Sequence, residues 1–105
     1  SRFHWGEAPE CKPENLARGE WQVSRVYTVV GFHEAALRHA RRCLDLCEEH
    51  GLADWDLAYA YEAVARGYKT AGAMPEAEAY KKLAAEVPIA DEEDREHLAE
   101  DLATL

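Results

Sequence analysis

The chain has 105 residues, of which 48% are hydrophobic and 31% are charged, so it is long enough for one globular domain and short for two. Its 12 basic and 21 acidic residues give a net charge of −9, which argues against nucleic acid or an anionic membrane surface as its partner. No apolar run approaches the roughly 20 residues that span a membrane. We therefore expect a soluble protein that has neither of these partners.

Proline and glycine divide the sequence into helical segments, because proline favours the first turn of a helix and glycine the position after its end. Apolar residues recur at helical spacing in five segments: 13–31, 33–51, 54–72, 75–87 and 91–105. No segment alternates with period two, so the predicted fold class is all-α. The third helix begins with Asp54, whose side chain is expected to cap it.

The connections between these segments are two to five residues long, which predicts antiparallel neighbours. The predicted organisation is a truncated or irregular N-terminal segment at 1–12, followed by a single domain at 13–105. That domain comprises a hairpin at 13–51, a second hairpin at 54–87 and a C-terminal helix at 91–105. About five helices are therefore expected in all.

The two predicted hairpins repeat each other at an offset of 41 residues. Aligned pairs are Leu16 with Leu57, Val23 with Val64, Ser24 with Ala65, Arg25 with Arg66, Tyr27 with Tyr68, Gly31 with Gly72 and Ala36 with Ala77. Recurrence of small and aromatic positions in register indicates that each hairpin stacks on the next through the same face. Ser24 and Ala65 should then be packed against neighbouring helices.

This pattern resembles the tetratricopeptide repeat family over roughly residues 14–88. The positions that carry the resemblance are Tyr61, Val64, Ala65, Tyr68, Ala77 and Pro88 in the second copy, and Val23, Ser24, Tyr27 and Ala36 in the first. The period of 41 rather than about 34 residues looks like the extended-helix variants of bacterial proteins. The resemblance implies a short α-solenoid, in which the first helix of each hairpin lines a concave, peptide-binding face.

That register predicts a ligand-binding groove formed by Arg18, Trp21, Arg25, Tyr59, Arg66 and Lys69. Arginine binds carboxylates through two N–H groups, and aromatic rings add apolar contact area. The leading hypothesis is a non-enzymatic protein–protein interaction or scaffold module that binds an acidic or carboxylate-bearing peptide. The alternative is internal pairing, in which Arg25 and Arg66 bind Glu20 and Glu62 or acids across the hairpins.

The second helix carries metal-ligand residue types along one stripe: His39, Cys43, Cys47 and His50. Such residues suit zinc or copper, but one straight stripe cannot surround an ion with all four. The alternative is that both cysteines are small core residues. A metal or small-ligand sensor is therefore the third functional hypothesis. The first is the peptide-binding module, and the second is an oligomeric structural domain of unknown function.

Further features of the sequence concern enzymatic activity, cellular compartment and oligomeric state. The sequence has neither a glycine-rich phosphate loop nor a Ser-His-Asp combination, so neither an enzyme nor a cofactor is expected. The three cysteines, Cys11, Cys43 and Cys47, without a secretory apolar region favour the cytoplasm. Apolar faces on the terminal hairpins, together with Trp5, Trp21 and Trp55, predict a homodimer.

Overall fold

The computed structural model describes residues 12–105, and helices account for most of this range. They are α1 (Pro13–Val29), α2 (His33–His50), α3 (Asp54–Thr70), α4 (Met74–Glu86) and α5 (Glu92–Ala103). No strand occurs between residues 12 and 105, so the all-α prediction is confirmed. Most of the predicted N-terminal segment, with Trp5 and Cys11, lies outside the described residues.

The turns that follow α1 and α3 have the same backbone geometry. Gly31 and Gly72 have φ of 85° and 82°, in the left-handed region that glycine enters at little cost. In both turns, the N–H of the glycine and the next N–H donate back to the end of the helix. These bonds are Gly31 to Thr28 at 3.1 Å, Phe32 to Tyr27 at 2.9 Å, Gly72 to Lys69 at 3.0 Å and Ala73 to Tyr68 at 2.9 Å. Both hairpins therefore reverse direction in the same way.

The helices stack in chain order, with α3 at the centre. Helix α1 packs on α2 and α3, α2 also packs on α3, and α3 packs on α4 and α5. Helix α3 contributes eight buried residues, more than any other helix described, because it has neighbours on several sides. The main core lies between α2 and α3, where Ala40 and Cys43 meet Ala60 and Val64.

Small residues allow these helices to approach closely. A Cβ atom at Gly67 would lie 2.9 Å from the Leu37 side chain, so α3 contacts α2 without room for a larger residue. Ser24 is 1% exposed, and its Oγ donates to the Ala36 carbonyl at 2.8 Å, which joins α1 to α2. Ala65 is fully buried, as the repeat register predicts.

Helix α5 packs on the side of α3 that carries Tyr59. Asp91 caps it by accepting a hydrogen bond from the Asp94 N–H at 3.0 Å. Leu98 and Leu102 then pack with Tyr59 in a second apolar cluster. Residues of α1, α3 and α5 consequently meet on one face of the molecule.

The expected side-chain cap at the start of α3 is absent. The N-cap position is Ala53, and Asp54 follows it with φ of 57°. The Asp54 carboxylate instead accepts hydrogen bonds from the N–H of Trp55 at 2.7 Å and of Ala90 at 2.9 Å. It therefore ties the start of α3 to the segment before α5, a contact that exists only in the folded chain.

Candidate binding pocket on the α1, α3 and α5 face

A pocket of about 330 Å³ opens where α1, α3 and α5 meet. Its floor is formed by Ala17 and Cys43, both of which are buried. The other lining residues are Arg18, Trp21, Gln22 and Arg25 from α1, Trp55, Asp56 and Tyr59 from α3, and His97 and Asp101 from α5. The first helix of each hairpin thus lines this face, and α5 closes it on one side.

Aromatic rings form a continuous wall in this pocket. The Tyr59 ring lies 4.3 Å from Trp55 and 5.8 Å from Trp21, measured between ring centroids. The Tyr59 hydroxyl donates to Asp101 Oδ2 at 2.6 Å. Burial and this hydrogen bond raise the pKa of Tyr59, so the hydroxyl remains a donor into alkaline pH. The wall therefore offers apolar area in a fixed orientation.

Arg18 is neutralised at the edge of the pocket. Its Nε donates to Asp56 Oδ1 at 2.9 Å and its Nη2 donates to Asp56 Oδ2 at 3.3 Å. This two-point pair joins α1 to α3 and raises the pKa of Arg18, mainly through the hydrogen bond. Arg18 consequently shapes the pocket without offering a free charge.

Two arginines share one buried carboxylate, that of Glu62. Its Oε2 lies 2.7 Å from Arg66 Nε and 3.6 Å from Arg25 Nη1, and the Glu62 side chain is 1% exposed. Its Oε1 accepts a hydrogen bond from Trp21 Nε1 at 3.4 Å. Because two guanidinium groups face a single carboxylate, this cluster carries one excess positive charge.

The excess charge reaches the pocket at Arg25. Within residues 12–105, Arg25 makes the long ion pair with Glu62 and no hydrogen bond, and its guanidinium lies 5.7 Å from the Trp21 ring centroid. Its side chain is 39% exposed. Arg66 is more buried and also donates to the Asp101 carbonyl and to Thr104 Oγ1. Arg25 is therefore better placed than Arg66 to bind an anion.

The structure brings together four of the six predicted groove residues: Arg18, Trp21, Arg25 and Tyr59. Arg66 and Lys69 do not line the pocket, because both hold the last turn of α5. Lys69 Nζ donates to the Thr104 carbonyl at 2.7 Å, next to the bonds made by Arg66. The predicted groove is thus shortened at the end where α5 lies.

The alternative of internal pairing holds for Arg66, which binds Glu62 one helical turn away. Arg25 also faces Glu62, across the hairpins, rather than Glu20. The Glu20 carboxylate instead lies 2.6 Å from His39 Nδ1 and 3.4 Å from Arg42 Nε. The two arginines of the repeat are therefore unequal, and Arg25 is the less satisfied one.

The metal-ligand residue types of α2 are not assembled as a site. Cys43 and Cys47 are buried, and Cys47 Sγ donates to the Asp56 carbonyl at 3.6 Å. The pKa of Cys43 is raised by its hydrogen bond to Cys47 and by burial. His39 is bound to a carboxylate, and His50 is exposed at the helix end. No group of three or more His, Cys, Asp or Glu residues in the described part of the chain could hold a metal ion.

Besides Ala17 and Cys43 in the floor, five lining residues were not predicted as ligand-binding positions: Gln22, Trp55, Asp56, His97 and Asp101. The two from α5 lie outside the 41-residue register, so the repeat could not place them. A signal existed for Asp56, because it lies one helical turn before Tyr59 and therefore shares its face. Its pairing with Arg18 depends on how the hairpins are staggered.

Comparison with known protein families, curated proteins and solved structures gives no match to this chain. Among the helices between residues 12 and 105, none has the length and apolarity needed to cross a membrane. Since the comparisons indicate no ligand, the chemistry of the pocket is inferred from the residues that line it.

Proposed function

We propose that this chain is a non-enzymatic protein-interaction module, a short stack of tetratricopeptide-like hairpins, which binds a carboxylate-bearing peptide segment in the α1, α3 and α5 pocket. The observation that carries this proposal is the charge imbalance around Glu62, which is shared by Arg25 and Arg66. A peptide carboxylate supplies the missing negative charge at Arg25. A guanidinium group suits this role because it offers parallel N–H donors to a carboxylate.

The remaining lining residues are compatible with such a ligand. Of the two acids in the pocket, Asp56 is neutralised by Arg18. Asp101 accepts a hydrogen bond from the neutral Tyr59 hydroxyl and lies 3.7 Å from His97 Nε2, so it keeps its negative charge and favours an incoming carboxylate at Arg25 rather than on the α5 side. The aromatic wall lies beside Arg25 and provides contact for an apolar side chain next to the carboxylate. A volume of about 330 Å³ accommodates one or two side chains rather than a folded surface.

We place this module in the cytoplasm. Cys43 and Cys47 are free thiols on one face of α2, one turn apart, and both are buried. A reducing compartment preserves such a pair as small core residues, as the packing between α2 and α3 requires.

Arg25→Ala should weaken the binding of a short acidic peptide about tenfold or more, because it removes the uncompensated charge. The probe is an acetylated hexapeptide of alternating Asp and Leu with a free carboxyl terminus. It is titrated while tryptophan fluorescence is followed, because Trp21 and Trp55 line the pocket. Binding to the wild-type protein should also weaken as salt rises from about 50 to 300 mM, since the attraction is screened.

Arg38→Ala is the matched control, because Arg38 is exposed on α2 and does not line the pocket. It should bind the hexapeptide as the wild type does, and a peptide with Asn in place of Asp should bind more weakly to both proteins. Equal binding by folded Arg25→Ala and wild type, or no binding by the wild type, would show that the proposal is wrong.

A further inference from the structure

The α5 side of the pocket holds a carboxylate, that of Asp101, without a lysine or arginine partner in the described part of the chain. Its Oδ2 accepts a hydrogen bond from the Tyr59 hydroxyl and lies 3.7 Å from His97 Nε2, which is charged only when protonated. Arg66 donates to the Asp101 backbone carbonyl rather than to the carboxylate. The Asp101 side chain is only 25% exposed, so a cation from outside the chain would relieve an incompletely paired charge.

Aromatic rings lie beside this carboxylate in the same pocket. The His97 ring centroid is 5.9 Å from that of Trp55 and 6.4 Å from that of Tyr59, and the last two are 4.3 Å apart. Faces of tryptophan and tyrosine rings attract cations, and the attraction grows where water is excluded. The α5 side of the pocket therefore offers a cation both a negative charge and aromatic surface.

The two sides of the pocket consequently differ in charge. Arg25 carries the excess positive charge on the α1 side, Asp101 carries a negative charge on the α5 side, and Arg18 and Asp56 neutralise each other. Helix α5 contains six acidic residues and one arginine, which makes the field on its side more negative. A ligand with a carboxylate alone would satisfy Arg25 and leave Asp101 without a partner.

The aromatic wall connects these two charges. The Arg25 guanidinium lies 5.7 Å from the Trp21 ring centroid, the Trp21 ring lies 5.8 Å from that of Tyr59, and the Tyr59 hydroxyl reaches Asp101. An apolar stem with a charge at each end can pack along such a wall, as the methylene groups of lysine do on apolar surfaces.

We propose that the ligand is bipolar, a peptide whose carboxyl-terminal residue has a basic side chain, with its terminal carboxylate at Arg25 and its side-chain cation at Asp101. This inference rests on the proposed function, which places a carboxylate at Arg25. Lysine suits the site because it carries a compact ammonium group on a four-carbon stem. The pocket volume of about 330 Å³ holds one or two side chains, so a single residue can supply both charges.

Three acetylated tripeptides test this preference by isothermal titration calorimetry at pH 8 and about 50 mM salt. They are Gly-Gly-Lys with a free carboxyl terminus, Gly-Gly-norleucine with a free carboxyl terminus, and Gly-Gly-Lys amide. Norleucine has the lysine stem without the ammonium group. The wild-type protein should bind the lysine acid about tenfold more tightly than the norleucine acid, and about tenfold more tightly than the lysine amide.

Asp101→Asn should abolish the preference for lysine over norleucine, so that the two acids bind within about twofold of each other. Asparagine can still accept the Tyr59 hydrogen bond. Glu100→Gln is the matched control, because it removes the same charge from an exposed position of α5 that does not line the pocket. This variant should keep the preference for lysine.

Equal binding of the two acids by the wild-type protein overturns the bipolar ligand and leaves the proposed function standing. A folded Asp101→Asn protein that keeps the lysine preference also overturns it, as does a Glu100→Gln protein that loses the preference. If neither acid binds, or if the amide binds as tightly as the lysine acid, the proposed function fails as well. If Asp101→Asn loses helical circular dichroism, the three titrations of the wild-type protein decide the question.

Discussion

Glu62 shows how one side chain connects three helices. It lies on α3, reaches Trp21 and Arg25 on α1, and acts on the end of α5 through Arg66. Its place in the repeat explains the charge imbalance, because the position 41 residues earlier is Trp21. Arg66 therefore has a carboxylate one helical turn before it, whereas Arg25 has an indole ring there and must share Glu62.

Glu62→Gln should lower the free energy of unfolding by about 2 kcal/mol, because it leaves two guanidinium groups facing a neutral amide. The expected loss is smaller than for a fully buried pair, since Arg25 is 39% exposed and Arg66 is 15% exposed. Urea unfolding measures it. Glu49→Gln is the control, because Glu49 is 71% exposed beside His50, and a change within about 0.5 kcal/mol is expected there. Equal losses for both variants would contradict a central role for Glu62.

The sequence predicts which side chains face the pocket better than it predicts their partners. The 41-residue register is sufficient to place Arg18, Trp21, Arg25 and Tyr59 on one face, because helical periodicity determines the direction of each side chain. The ion pair between Arg18 and Asp56 depends on the stagger of α1 against α3. Neither periodicity nor composition specifies that stagger, so this contact could be found only in the structure.

At the scale of single helices, the sequence predicts the fold well because local signals agree with the packing. Pro13 begins α1, and Gly31, Gly51 and Gly72 take left-handed conformations after α1, α2 and α3. The prediction is wrong about the side-chain cap at Asp54. That carboxylate accepts hydrogen bonds from the adjacent Trp55 N–H and from the N–H of Ala90, a residue distant in sequence, so part of its bonding goes to a tertiary contact.

Ala65→Leu should destabilise the fold by about 1–3 kcal/mol, because α3 has no space for three more carbon atoms at a fully buried position. Thermal and urea unfolding followed by circular dichroism provide the measurement. The matched variant Ala79→Leu adds the same atoms at an exposed position of α4 and should change stability by no more than about 0.5 kcal/mol. A neutral Ala65→Leu would contradict the close packing of α3.

For the whole molecule, the neighbours of each helix predict an uneven distribution of stability. Helix α3 packs on four other helices, whereas α5 packs on two of the described helices, α3 and α4. Native-state hydrogen exchange should therefore show α5 amides exchanging about tenfold or more faster than α3 amides, because α5 can undock while the hairpins remain folded. Equal protection of α3 and α5 would mean that the chain opens only as a unit.

The two ends of the helical stack expose different residues, so they differ in how readily a further hairpin can be added. A designed hairpin fused ahead of α1 is expected to pack its second helix on Leu16, Val23 and Val26, because the equivalent side of α3 packs on α2. A hairpin fused after α4 would meet Glu78 and Lys81 and would have to displace α5. An array engineered from this chain should therefore be easier to lengthen ahead of α1 than after α4.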